Sequence, residues 1–194
     1  MDALLSALTV IHVVTAILMV WPFYALVIVN QRAALGPPLG DRADTYLENI
    51  IKNRTNPCLV FQATALITGL ALVLLNGMGW ESFVTVPALG LKLLLLVVIA
   101  GLLLYVRVGM QPKIDALFAQ AGSPIPVEVG ARIGNLRLRR KRFAAVCMFI
   151  VLTISILGVQ VRAPFPWWLT IVLVVATGAF TWRAYKSVTP YGWA

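Results

Sequence analysis

The sequence predicts an all-α, polytopic membrane bundle of five transmembrane helices, with the N-terminus outside and the C-terminus in the cytoplasm. Three observations lead there. Of 194 residues, 60% are hydrophobic and 12% are charged, about half the charged share of an ordinary soluble domain. Five apolar runs each approach the roughly 20 residues that cross about 30 Å of hydrocarbon. The Lys and Arg residues lie on alternate connections, as the positive-inside rule requires.

The expected spans are about 4–29, 58–76, 87–108, 143–161 and 167–185, joined by long cytoplasmic loops at 31–56 and 111–141. They leave no room for a separate soluble domain, so residues 1–194 read as one membrane domain. The first span has no basic segment before it and no small-residue cleavage site followed by polar sequence, and so reads as a retained helix rather than a signal peptide. Pro22 should kink or loosen its inner half, because proline removes a backbone donor and crowds the preceding turn. After the turn 36–40, Asp41 or Asp44 can cap a short helix running through Arg54, with Tyr46, Leu47, Ile50 and Ile51 on one face. Pro57 then joins it to the second span. The third span carries Lys92 near its outer end and Arg107 near its inner end, both long enough to snorkel to an interface. Residues 111–121 are compatible with a helix that Pro124 and Pro126 end. Beyond them, 129–142 mixes Ile133, Leu136 and Leu138 with six basic residues, an amphipathic cytoplasmic extension of the fourth span lying near anionic lipid. Ala65 and Gly69, four residues apart, allow close helix contact.

The net charge is +9, which raises nucleic acid as a partner, but the placement of the charges excludes it. Arg32, Arg42, Lys52 and Arg54 lie between spans one and two. Lys113 and the run from Arg132 to Arg142 lie between spans three and four, and Arg183 and Lys186 follow span five. Residues 76–86 carry no Lys or Arg, and the turn after span four carries only Arg162. A nucleic-acid face would need aromatics interleaved with the charges on a folded platform. The aromatic residues instead form two belts, Trp80, Phe165, Trp167 and Trp168 outside and Trp182, Tyr185, Tyr191 and Trp193 inside. Cys58 and Cys147 fall at cytoplasmic ends of spans, where a structural disulfide is not expected and small apolar packing is.

Soluble-enzyme signatures are absent: there is no CxxC, HExxH, phosphate-binding glycine loop or GxSxG. No Asp or Glu lies within a span, which argues against a proton pump or cation-coupled transporter. The short list of polar residues expected to be buried within the spans is His12, Gln62, Lys92 and Gln160. At about 1.5 Å per residue, His12 lies roughly 12 Å and Lys92 roughly 8 Å from the outer ends of their spans, in the same leaflet. His12, the single histidine, reads either as an axial haem ligand, a copper ligand or a proton-transfer group, or as a neutral ring bonded to Thr9, Thr15 or a neighbouring helix. Lys92 reads either as part of that site or as a snorkelling side chain. With one histidine, the chain alone cannot supply bis-histidine ligation. Met19, seven residues on along the same helix face, cannot reach the opposite side of a haem at His12. A sixth ligand must come from Met78, another group or another subunit.

His12 early in span one, Asn56-Pro57 opening span two and Leu89-Gly90-Leu91-Lys92-Leu93 opening span three together resemble the membrane superfamily that contains the copper-resistance D proteins and the HemJ-type protoporphyrinogen oxidases. The likeness covers roughly residues 5–120, and the sequence departs from it at Gly90, where a second histidine is expected two residues before the lysine. The resemblance implies haem or porphyrin chemistry at His12 and Lys92, with His12 as the metal ligand. The expected function is therefore a small accessory or haem-b-carrying subunit of a larger electron-transfer complex in the bacterial inner membrane, in contact with lipid and other membrane subunits. The alternatives are a HemJ-like oxidoreductase acting on porphyrin and a CopD-like copper or small-solute permease.

Overall fold

A computed structural model describes residues 2–30, 41–52, 55–122 and 125–186, without the side chains of 41–45 and 55. The described residues are 91% helix with no strand among them, and five of their helices are long and apolar enough to cross a membrane. The helices are α1 (Asp2–Asn30), α2 (Asp41–Lys52), α3 (Thr55–Leu75), α4 (Ser82–Thr85), α5 (Pro87–Tyr105), α6 (Gln111–Gln120), α7 (Val127–Arg162) and α8 (Trp167–Lys186). The spans of the sequence analysis are α1, α3, α5, α7 and α8. The expected turn 36–40, Arg54, Pro124, Tyr191 and Trp193 lie outside the described residues.

Each boundary has a local cause. α3 closes with Gly77 at φ 72, and Met78 N–H bonds the Val73 carbonyl while Gly77 N–H bonds that of Leu74. This is the left-handed glycine cap that satisfies the last carbonyls of a helix. α5 opens on Pro87, whose missing donor costs nothing in a first turn. Helix α1 runs through Pro22 without a break in its assignment, with Pro22 buried. Between α5 and α6 the helix widens into a π turn, Val106–Met110, and Gln111 N–H bonds the Val106 carbonyl five residues back. Pro112 accounts for the widening: its ring has no N–H and would crowd the carbonyl four residues before it in a regular α-helix.

The centre of the bundle is α7. Of its most apolar window 56% is buried, against 11% for α1 and for α8, whose outward faces carry exposed residues such as Ile17, Trp21, Ile171 and Val175. α1, α5 and α8 all pack on α7, and α3 packs chiefly on α1. The core gathers Met19, Phe23 and Val27 of α1, Cys58 of α3, Ile99 and Leu103 of α5, and Cys147, Met148, Val151 and Ile154 of α7. Both cysteines are buried, form no disulfide and pack within the core.

At 36 residues, α7 is about 54 Å long, so one end projects well past any hydrocarbon layer. The expected extension is present, but its faces differ from the expectation. Arg132, Arg139 and Arg142 point outward, whereas Arg137, Arg140 and Lys141 are buried. The physical reason lies on α2. Among its described side chains the buried ones are Glu48 and Ile51, with Tyr46 turned outward, so a carboxylate enters the interior and draws the guanidinium groups after it.

Candidate functional site

Near the end of the bundle that carries Trp80 and Trp167, three helices bring polar side chains together. His12 of α1 lies between Thr68 of α3 and Lys92 of α5. Its Nδ1 is 2.9 Å from Thr68 Oγ1 and its Nε2 is 3.1 Å from Lys92 Nζ. The proton count sets the roles. Thr68 gives its single hydroxyl proton to the Thr64 carbonyl at 2.6 Å, so its oxygen accepts from His12 Nδ1–H. The neutral ring then presents the Nε2 lone pair, which accepts a proton-sharing bond from the Lys92 ammonium. An ammonium has three donors, and the other two of Lys92 have no partner among the described residues.

Two glycines make the space. A Cβ on Gly69 of α3 would stand 3.1 Å from His12 Cε1, and one on Gly158 of α7 would stand 3.2 Å from Lys92 Nζ. Ala65 and Gly69 therefore form the recess beside the imidazole ring, and Gly158 lets the lysine chain lie against α7. Any larger residue at either position would push into the pair. Lys92 is half-buried and partnered, so snorkelling alone does not describe it.

Gly90 has its own packing reason. A Cβ there would fall on the carbonyl oxygen of Phe83 in α4, so close backbone approach closes this position to histidine. Of the other polar candidates, Gln160 closes the α7–α8 turn, donating to the Phe165 carbonyl at 2.8 Å and accepting from Thr170 Oγ1 at 2.5 Å. Gln62 is buried, and neither of its amide atoms has a hydrogen-bond partner among the described residues. Met19 is buried in the core, away from the His12–Lys92 pair by two turns of α1.

No three His, Cys, Asp or Glu residues that could hold a metal ion converge among the described residues. Metal-binding histidines characteristically donate their second ring N–H to an oxygen that fixes the tautomer, which is what Thr68 does here. Ligation through Nε2 additionally requires Lys92 to move off that nitrogen.

The opposite, basic end holds a second polar cluster that the sequence analysis missed. Arg140, 1% exposed, uses all five of its N–H groups. Nε and Nη2 donate to Asn30 Oδ1 at 3.1 and 3.0 Å, Nη1 to Glu48 Oε1 at 2.6 Å and Gln111 Oε1 at 2.7 Å, and Nη2 also to Glu48 Oε2 at 3.1 Å. Arg137 Nε reaches Glu48 Oε2 at 3.3 Å, and its guanidinium stacks over the Phe118 ring. A signal for this did exist. Arg137, Arg140, Ala144, Cys147 and Val151 recur at helical spacing on one stripe, so the buried face of α7 continues into its basic segment. With all five Arg140 donors used, this cluster is a structural clasp joining α1, α2, α6 and α7.

Comparison with protein-family models, with curated proteins and with solved structures finds no significant match to this chain.

Proposed function

We propose that the chain is an integral membrane subunit of the bacterial inner membrane, oriented with the basic ends of α2, α7 and α8 in the cytoplasm, and that the Thr68–His12–Lys92 triad carries a b-type haem for a larger electron-transfer complex. One observation carries this reading. The Nδ1 proton is committed to Thr68, which leaves Nε2 with an oriented lone pair beside a half-buried ammonium. His12 would hold the iron, and the Lys92 ammonium, freed from Nε2, would take a propionate carboxylate. Haem supplies one-electron transfer. Thr68 orients the ring, Gly69 and Gly158 provide clearance, and the bundle keeps the site away from bulk water. Because the chain has one histidine, a six-coordinate haem takes its second ligand from outside α1, in keeping with a subunit that works in a complex.

The test is the oxidised and reduced absorption spectrum of the complex isolated from native membranes. A Soret band that disappears in His12→Ala, with assembly retained, is the expected result. A wild-type complex with no haem would refute the haem assignment. A second reading draws on the same contact. An ammonium with two free N–H groups next to a proton-accepting imidazole suits a porphyrin substrate bearing carboxylates, and oxidation of protoporphyrinogen by membranes containing the chain distinguishes it.

A further inference from the structure

At the basic end, the last turn of α8 meets α7 in a second, unrelated group of cations. Lys141 Nζ lies 4.9 Å from the centre of the Tyr185 ring, and Arg142 Nε donates to Tyr185 Oη at 3.3 Å. Lys186 Nζ lies 4.9 Å over the Trp182 ring, and the two rings are 6.1 Å apart. Lys141 is only 6% exposed, yet its ammonium has no hydrogen-bond partner among the described residues, the Tyr185 face being its one contact of opposite polarity. No described carboxylate joins the group: Glu48 is held by Arg137 and Arg140, and Asp115 pairs with Lys52. The Lys141 side chain is covered but its ammonium head stays accessible, so three cations share two aromatic rings with no described carboxylate to balance them, and an anion would complete the set.

We propose that Lys141, Arg142 and Lys186, on the Trp182–Tyr185 platform, bind the phosphodiester of an anionic phospholipid. Placement selects a lipid over a soluble phosphate. α8 has 20 residues and is about 30 Å long, so with Trp167 and Trp168 at one hydrocarbon boundary, Lys186 and Trp182 stand at the other. Trp182 is 62% exposed, and Val146, one turn along α7 from Arg142, offers an exposed apolar surface continuous with the site for an acyl chain. This site is independent of His12 and of any haem.

Native mass spectrometry of the full chain in detergent, titrated with phosphatidylglycerol or phosphatidylcholine of matched acyl chains, tests it. Phosphatidylglycerol should bind at least tenfold more tightly. Arg142→Gln with Lys186→Gln, both at exposed positions, should weaken it roughly thirtyfold, at about fivefold per cation, and leave phosphatidylcholine unchanged. Lys141→Met should weaken it further in protein that retains its thermal midpoint. Lys113→Gln with Arg132→Gln removes the same charge elsewhere at this end and should have little effect. Equal binding of the two lipids, or an equal loss in that control pair, would overturn the site. Displacement of phosphatidylglycerol by equimolar inorganic phosphate would overturn the lipid assignment.

Discussion

Replacing Arg140 by Met removes the one side chain that touches Asn30, Glu48 and Gln111 together. Asn30 Oδ1 loses both of its bonds, and the Gln111 carbonyl oxygen loses its bond at 2.7 Å. Glu48 keeps Arg137 Nε and Gln111 Nε2, each at 3.3 Å, so its charge is weakened in support rather than orphaned. A buried acceptor left bare costs about 1–3 kcal/mol, and breaking a buried ion pair from one side costs about 3–5 kcal/mol. With Arg137 as partial substitute, we expect a loss of about 3 kcal/mol. Reversible unfolding of the full chain in mixed micelles, titrated with a denaturing detergent and followed by helical circular dichroism, reads it. Glu48→Met combined with Arg140→Met should cost less than the sum of the two single losses, a coupling that independent sites do not show. A single-mutant loss below about 1 kcal/mol, or strictly additive losses in the double mutant, would refute the clasp.

Three further outcomes follow from the geometry. Gly90→Ala should destabilise the bundle by about 1–3 kcal/mol, because the new methyl meets the Phe83 carbonyl, a backbone atom with little freedom to yield; thermal unfolding in micelles measures it. Thr68→Val removes the acceptor of His12 Nδ1–H and, on the haem reading, should lower haem affinity about 10–100-fold while the helices stay intact, as read by spectral titration. Val84 is 84% exposed whereas Ser82 is buried, so a cysteine at Val84 is the probe of orientation. It should react with an impermeant thiol reagent on intact cells, and a cysteine at exposed Asn135 only after permeabilisation; the reverse pattern would invert the topology.

The spans were legible because each is a long apolar run, and length against bilayer thickness leaves little choice. Span 143–161 appeared shorter than α7 because the helix continues through a basic segment that hydropathy alone assigns to a loop. The π turn has a readable cause in Pro112 but not a readable position, since the widened turn is chosen by packing against α7. Counting rise per residue placed His12 and Lys92 at similar depth, but it could not say that they touch. Their contact depends on the rotation of α1 and α5 about their axes, which Gly69 and Gly158 permit. The clasp escaped because Glu48 and Arg140 are 92 residues apart, one on a short surface helix and the other on an amphipathic extension expected to face lipid. Only the helical stripe from Arg137 to Val151 hinted that the guanidinium groups face inward.

Gly158 and Arg140 are eighteen residues apart on one unbroken helix, which is five turns at about 3.6 residues each. They therefore lie on the same side of α7, about 27 Å from one another along its axis. A stiff rod gripped at two places on one side has no independent ends. The backbone of α7 thus meets both polar centres, Lys92 lying against it at Gly158 and Glu48 at Arg140.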